Sequence, residues 1–200
     1  MPKNIQIQRH SGPSLQKHLA DLAQLRIEVF RDFPYLYDGD LDYEEKYLQT
    51  YIQCPEAVIV LALDGDKIIG ASTGIPLEHE SEAFQRPFIE HNYLPKQVFY
   101  CAESVLKKEY RGLGIGVRFF EEREAHAREL GKFDYYSFCC VQREEDHPLR
   151  PAHYIPLDKF WNKRGYTKHP ELWTTYDWKD LGKSKETSKK LVFWLKNINN

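Results

Sequence analysis

The chain has only four cysteines, Cys54, Cys101, Cys139 and Cys140, with no CxxC spacing among them. That pattern excludes a cysteine-rich zinc motif and gives no ready disulfide framework, so the expectation is reduced, mostly buried thiols. Long apolar runs are also missing, and none approaches the roughly 20 residues of a membrane span. The opening Met1-Pro2-Lys3-Asn4-Ile5-Gln6 lacks the apolar core of a secretory leader. No membrane partner and a cytoplasmic location are therefore expected. Positive charge is not in excess, with 28 Lys and Arg against 30 Asp and Glu and a net charge of −2. The basic residues are scattered rather than striped, which argues against a nucleic-acid partner. There is no internal repeat and no low-complexity segment. His147 and His153, with Asp146 beside the first, lack a third ligand nearby, so no metal is expected.

What is present fits one domain over residues 1–200: 200 residues, 42% hydrophobic and 14% aromatic, are enough to bury a sizeable core. Apolar residues at helical spacing predict a helix over 15–30 with Ser14 as its N-cap, and a second over 43–53. Between them lies Phe33-Pro34-Tyr35-Leu36-Tyr37-Asp38-Gly39-Asp40. Around this loop stand Asp32, Asp38, Asp40, Asp42, Glu44 and Glu45, interleaved with Phe33, Tyr35 and Tyr37. Such a set could hold a cationic ligand; it is equally what a solvated loop and the acid-rich start of a helix would carry. Residues 57–63 and 67–75 read as a hairpin about Asp64-Gly65-Asp66. Residues 78–96 read as a partial helix or a loop. Strands are predicted over 98–106 and 133–141, a helix over 117–130 stopped by Gly131, and a short helix over 157–164 stopped by Gly165. Two pairing strands follow, over 172–178 and 191–196.

The most informative stretch is Arg111-Gly112-Leu113-Gly114-Ile115-Gly116, between a strand and a helix start. Alternating glycines let backbone N–H groups converge on an anion without Cβ interference, at the helix end where the dipole is positive. No Lys-Ser/Thr pair follows, which excludes a nucleoside-triphosphate loop of the Walker type. Gly112, Gly114 and Gly116 miss the G-x-G-x-x-G spacing of a dinucleotide fold, and the charged Lys107-Lys108-Glu109 stands between strand and glycines.

This loop resembles the R/Q-x-x-G-x-G/A pyrophosphate loop of the GNAT (GCN5-related) N-acetyltransferases. Phe160-Trp161-Asn162-Lys163-Arg164-Gly165-Tyr166 is similar to that family's later F-[YW]-x-x-x-G-[FY] segment, and the order of elements agrees over nearly the whole chain. The resemblance implies an α/β (α+β) fold. Its central sheet would be mixed and mostly antiparallel, with a splay between the fourth and fifth strands and about four flanking helices. It also implies acetyl-CoA as co-substrate, with the pantetheine arm entering the splay against backbone groups of Val105 and Leu106. The pyrophosphate would lie on the N–H groups of Gly112, Leu113, Gly114, Ile115 and Gly116, with the Arg111 guanidinium beside it. Lys107 or Lys108 could reach the 3′-phosphate or could simply be solvated.

A primary amine is mostly ammonium near neutral pH, so acetyl transfer to it benefits from a base. Glu103 is the candidate: a carboxylate inside an apolar strand is costly without a partner or a task. The competing reading is an ion pair with Arg123 or another cation. Where many relatives place a proton-donating tyrosine, this chain has Trp161, which cannot serve; Tyr154 is the favoured substitute, with Cys140, His147, His153 and unassisted thiolate release as the alternatives. The implied partner is a small, cationic amine acceptor, with Phe33, Tyr35 and Tyr37 as candidate substrate-binding residues. The alternatives are a non-catalytic acyl-CoA-binding or regulatory module, and a protein N-terminal or lysine acetyltransferase. Edge strands near the C-terminus are compatible with a homodimer.

Overall fold

The computed structural model describes residues 4–198; Met1 to Lys3, where the leader reading begins, and Asn199 and Asn200 lie outside the described residues. The alternation Ile5-Gln6-Ile7-Gln8 makes a strand that the sequence reading passed over, β1 (Ile5–His10), which pairs antiparallel with β2 (Val58–Asp64). The first helix starts later than predicted. Residues 12–18 form a 3₁₀ turn led by Gly12-Pro13, the Ser14 hydroxyl bonds back to the Ser11 carbonyl, and α1 runs Leu19–Phe30. Helix α2 (Leu41–Gln53) is capped by Asp40, whose carboxylate accepts the Tyr43 N–H at 3.0 Å.

Strand β3 (Lys67–Pro76) closes the hairpin with β2. Residues 78–96, read from sequence as a partial helix or a loop, contain a helix, α3 (Glu82–Glu90), despite Pro87 inside it. A proline cannot donate to the carbonyl four residues back. Here that carbonyl, on Ala83, accepts the Thr174 hydroxyl at 2.7 Å instead.

The predicted strand over 98–106 is broken into β4 (Val98–Tyr100) and β5 (Ser104–Leu106), both antiparallel to β3. The register moves from Ile75 opposite Tyr100 to Ser72 opposite Ser104, so this strand carries one residue more than β3 across the gap. That extra residue is a bulge. Then come α4 (Ile115–Leu130), ended by Gly131 at φ +68, β6 (Tyr135–Val141), α5 (Asp158–Asn162), β7 (Thr167–Lys179) and β8 (Glu186–Asn197).

The sheet order is β1-β2-β3-β4-β6-β8-β7, with β5 also on β3. Among the described residues only β4 and β6 run parallel. Five α-helices stand among the described residues, α3 being the one beyond the predicted number. One face of the sheet packs Leu22, Leu48, Tyr51 and Phe88 from α1, α2 and α3 against Ile59, Leu61 and Phe193. The other packs Phe119 and Phe120 of α4 against Val60, Phe99, Tyr136 and Trp194. No helix is long and apolar enough to cross a membrane among the described residues.

Candidate active site

The parallel pairing of β4 with β6 ends where the Cys101 N–H donates to the Ser137 carbonyl at 2.7 Å. Beyond it, β5 stays on β3 while β6 follows β8, and the sheet splays. The bulge at Cys101–Glu103 creates this gap and is firmly pinned. The Glu103 carbonyl accepts the Thr73 N–H at 3.0 Å, the Ser72 hydroxyl at 3.0 Å and Nη1 of Arg123 at 3.1 Å. Arg123, 2% exposed, therefore clamps backbone rather than pairing with the Glu103 carboxylate.

The carboxylate has a different cation. Arg26 of α1 donates from Nη1 to Glu103 and from Nε to Glu44, both oxygens being nearly buried. Its guanidinium also lies over the Tyr47 ring at 4.4 Å and the Phe30 ring at 5.1 Å. Burial disfavours the charge on Arg26, yet Glu103, Tyr47 and Glu44 together hold its pKa well above the ordinary value. Tyr47 donates its hydroxyl to the second oxygen of Glu103 at 3.1 Å. Glu44, read from sequence as an acid at a helix start, is 1% exposed and belongs to this cluster.

Glu103 opens onto a cavity of about 670 Å³ walled by the aromatic loop, α1, α2, the turn before α3, and β7. Tyr35 and Tyr37 line it, together with Asp38, Asp40, Glu44, Glu80 and Asp177. The loop is fixed from outside: Arg143 donates to the carbonyls of Pro34 at 2.8 Å and Tyr35 at 2.7 Å, and Trp178 to that of Tyr35 at 3.0 Å. Burial pushes the Tyr35 phenol far up. Phe33 is not in the cavity wall; its ring packs on Tyr154 at 4.7 Å and His147 at 5.8 Å. Tyr154 likewise stands outside the cavity, near Cys140 of β6 and under Arg150 at 5.1 Å, and its hydroxyl makes no hydrogen bond among the described residues. Trp161 packs on Trp194 and Phe138, each at 5.0 Å. Cys139 and Cys140 face opposite sides of β6, as alternation requires: Cys139 lines the cavity and accepts from or donates to the Tyr100 hydroxyl at 3.0 Å.

Glu80 is a residue the sequence reading missed. Its carboxyl is pushed up to about 7, by burial first and by the charge of Glu103 second. In the sequence it is one of several acids, with Glu78 and Glu82 two residues to either side, and nothing there marks it as buried.

On the other side of the splay, the Lys107 N–H donates to the Ile69 carbonyl at 3.0 Å. Antiparallel alternation then turns the backbone polar groups of Val105 toward β3 and those of Leu106 into the gap. Gly112 and Gly114 both adopt φ +80, and a Cβ built on either meets nothing within 4 Å. The loop is an open cradle, and the first N–H groups of α4 have no intrahelical acceptor. Those features fit a diphosphate. Arg111 reaches back to the Leu106 carbonyl at 3.3 Å and to Asp32 at 3.7 Å; Lys108 pairs with Asp32 at 2.8 Å and Lys107 with Glu28 at 2.5 Å.

Residues 21–153 match the model of the acetyltransferase (GNAT) family. No curated protein matches the chain. Among solved structures, an Acinetobacter baylyi protein thought to be an acetyltransferase superposes with a TM-score of 0.65 at 14% identity, over 100% of this chain and 96% of the other. The ribosomal-protein-alanine N-acetyltransferase of Brucella melitensis gives 0.60 at 14% identity, over 96% and 99%. A Salmonella typhimurium protein solved with its cofactor acetyl-CoA gives 0.58 at 8% identity, over 96% and 94%. At these identities the superpositions speak for the fold, and the family match for the rest: the chain belongs to the GNAT acetyltransferases, a family that uses acetyl-CoA.

Proposed function

We propose that this protein transfers an acetyl group from acetyl-CoA directly to the amine of a small, cationic acceptor. The observation that carries the reading is the Glu103 carboxylate, held by Arg26 and Tyr47, at the point where the acid-lined cavity meets the splay. In this reading the Leu106 backbone lies along pantetheine, its N–H facing the reacting carbonyl. Val105 supports that strand from the β3 side, and the loop from Arg111 to Gly116 takes the pyrophosphate. Such a cradle supplies fixed N–H dipoles and requires no metal.

The acceptor enters the cavity as an ammonium, attracted by its carboxylates and by the faces of Tyr35 and Tyr37. Glu103 takes the proton that must leave before nitrogen can attack. Tyr154, with its unengaged hydroxyl near Cys140, is the candidate donor to the departing thiolate, and Phe33 holds its ring in place. The test is CoA release measured across amino acids, polyamines, aminoglycosides and peptides. Release with small di- or polyamines supports the reading. Release with peptides alone would transfer the activity to protein acceptors, and none with any amine would leave an acyl-CoA-binding module.

A further inference from the structure

The hydroxyls of Tyr47 and Tyr51 join Glu103 to a second carboxylate. The contacts are Tyr47 to Glu103 at 3.1 Å, Tyr47 to Tyr51 at 2.9 Å and Tyr51 to Glu80 at 3.3 Å. Each hydroxyl carries one proton. With both carboxylates ionised, three contacts therefore share two protons, and one contact is left as oxygen against oxygen. One added proton fills all three. It can sit at either end: on Glu80, with every hydroxyl donating toward Glu103, or on Glu103, with every hydroxyl donating toward Glu80.

We propose that Glu80 is the proton store of this active site, loaded from Glu103 through Tyr47 and Tyr51. The proposal rests on the acetyl-transfer reading for its source of protons. The balance is simple. The acceptor ammonium gives its proton to Glu103. Glu103 passes a proton to the Tyr47 oxygen, Tyr47 passes its own to Tyr51, and Tyr51 passes its own to Glu80. Both phenols end neutral, and no phenolate is needed. Glu103 returns to its ionised form beside the acceptor and Glu80 becomes a carboxylic acid, which releases its proton into the cavity it lines.

Electrostatics give the chain its direction. Arg26 bonds directly to Glu103 and to Glu44 but not to Glu80, so the arrangement with the proton at the Glu80 end is favoured. The groups facing Glu80 are Arg26 from α1, Tyr47 and Tyr51 from α2, and Tyr100 and Glu103 from the bulged strand. Cys139 of β6 and Tyr176 of β7 also face it, and His79 precedes it in the cavity lining. Arg26 is the one permanent cation in this set. Burial among neutral phenols and a thiol, with a carboxylate nearby, keeps the Glu80 carboxyl up near 7, where a group can both take and release a proton.

The experiment has two arms. Carbon-13 NMR of the protein labelled at glutamate carboxyls, with no substrate present, should show a resonance absent from Glu80→Gln that titrates near pH 7, and Tyr51→Phe should move its midpoint upward. CoA release with putrescine as acceptor should rise with pH to a midpoint near 7 in the unaltered protein. Glu80→Gln and Tyr51→Phe should lose that limb and turn over at least tenfold more slowly above it, with each variant still melting as a cooperatively folded protein. A Glu80 carboxyl titrating near 4.5 overturns the proposal, as does a pH profile unchanged in both variants. Should putrescine and the wider amine panel give no CoA release, the acetyl-transfer reading falls, and the carboxyl titration alone decides whether the chain holds a proton.

Discussion

Arg26 and Glu103, 77 positions apart in the chain, meet in a direct charge-assisted hydrogen bond at the mouth of the splay. The pair joins the first helix to the bulge, so the proposed base and part of the fold's stability rest on one contact. Replacing Glu103 with Gln keeps the shape and removes the charge. Turnover should fall roughly 10² to 10⁴-fold, while the KM for acetyl-CoA, set on the other side of the gap, should stay within about twofold. Steady-state CoA release across pH 6 to 9 checks this. Unchanged turnover throughout that range would remove Glu103 from the mechanism.

Arg26→Met strands two nearly buried carboxylates, Glu44 and Glu103, without their cation. Breaking a buried pair from one side costs about 3–5 kcal/mol, and in a domain of this size the melting temperature should drop by roughly 10 °C. Adding Glu44→Gln to that variant should recover part of the loss, because one stranded charge is then gone. No recovery would mean that the cost lies in packing against Phe30 and Tyr47 and not in the charges.

Gly114 sits at φ +80 with open space where a Cβ would go. Gly114→Ala should therefore cost about 1–2 kcal/mol through backbone strain alone and raise the KM for acetyl-CoA about tenfold, since a shift in the cradle misdirects its N–H groups. Gly131→Ala is the control. That position is also left-handed, at φ +68, but lies at the far end of α4, so it should lower the melting temperature without touching the coenzyme KM.

The raised carboxyl of Glu80 makes stability depend on pH in a defined direction. A group that binds its proton more tightly when folded contributes stability that is complete below its ordinary value near 4.5 and is lost as pH rises through about 7. Thermal melts should show this as a decline of order 2 kcal/mol between those limits, and Glu80→Gln should flatten the slope. A Glu80→Gln protein with the parent slope would place the titration elsewhere.

The readable parts of the site were the local ones. The cradle is six consecutive residues whose conformation glycine itself dictates, and Glu103 stood out because a carboxylate interrupts an apolar strand. Arg26, Glu44, Tyr47, Tyr51 and Glu80 carry no such mark: on a helical wheel or in a loop each looks ordinary, and only the fold brings them to one point. Glu44 shows the difficulty most clearly, since an acid in a first helical turn is explained well enough by the dipole that nothing prompts a search for a buried partner. The same holds for α3: residues 78–96 read as a partial helix or a loop, because the hydroxyl that satisfies the Ala83 carbonyl in place of Pro87 lies 91 residues away. β1 is legible in the alternation of Ile5 and Ile7 with Gln6 and Gln8.

Arg123 gives the molecule a division of labour. It rises from the middle of α4, whose N-terminus forms the cradle, and grips the carbonyls of Thr73 and Glu103 at 3.3 and 3.1 Å. A single helix thus sets the spacing between the glycine cradle and Glu103, which in the proposed reading is the spacing between the coenzyme's phosphates and the base. The cavity walls from the aromatic loop and β7 belong to other segments and, unlike Glu44 and Tyr47 of α2, do not hold Arg26 or Glu103. In the proposed reading, side chains there can change acceptor preference while the spacing from cradle to base stays constant.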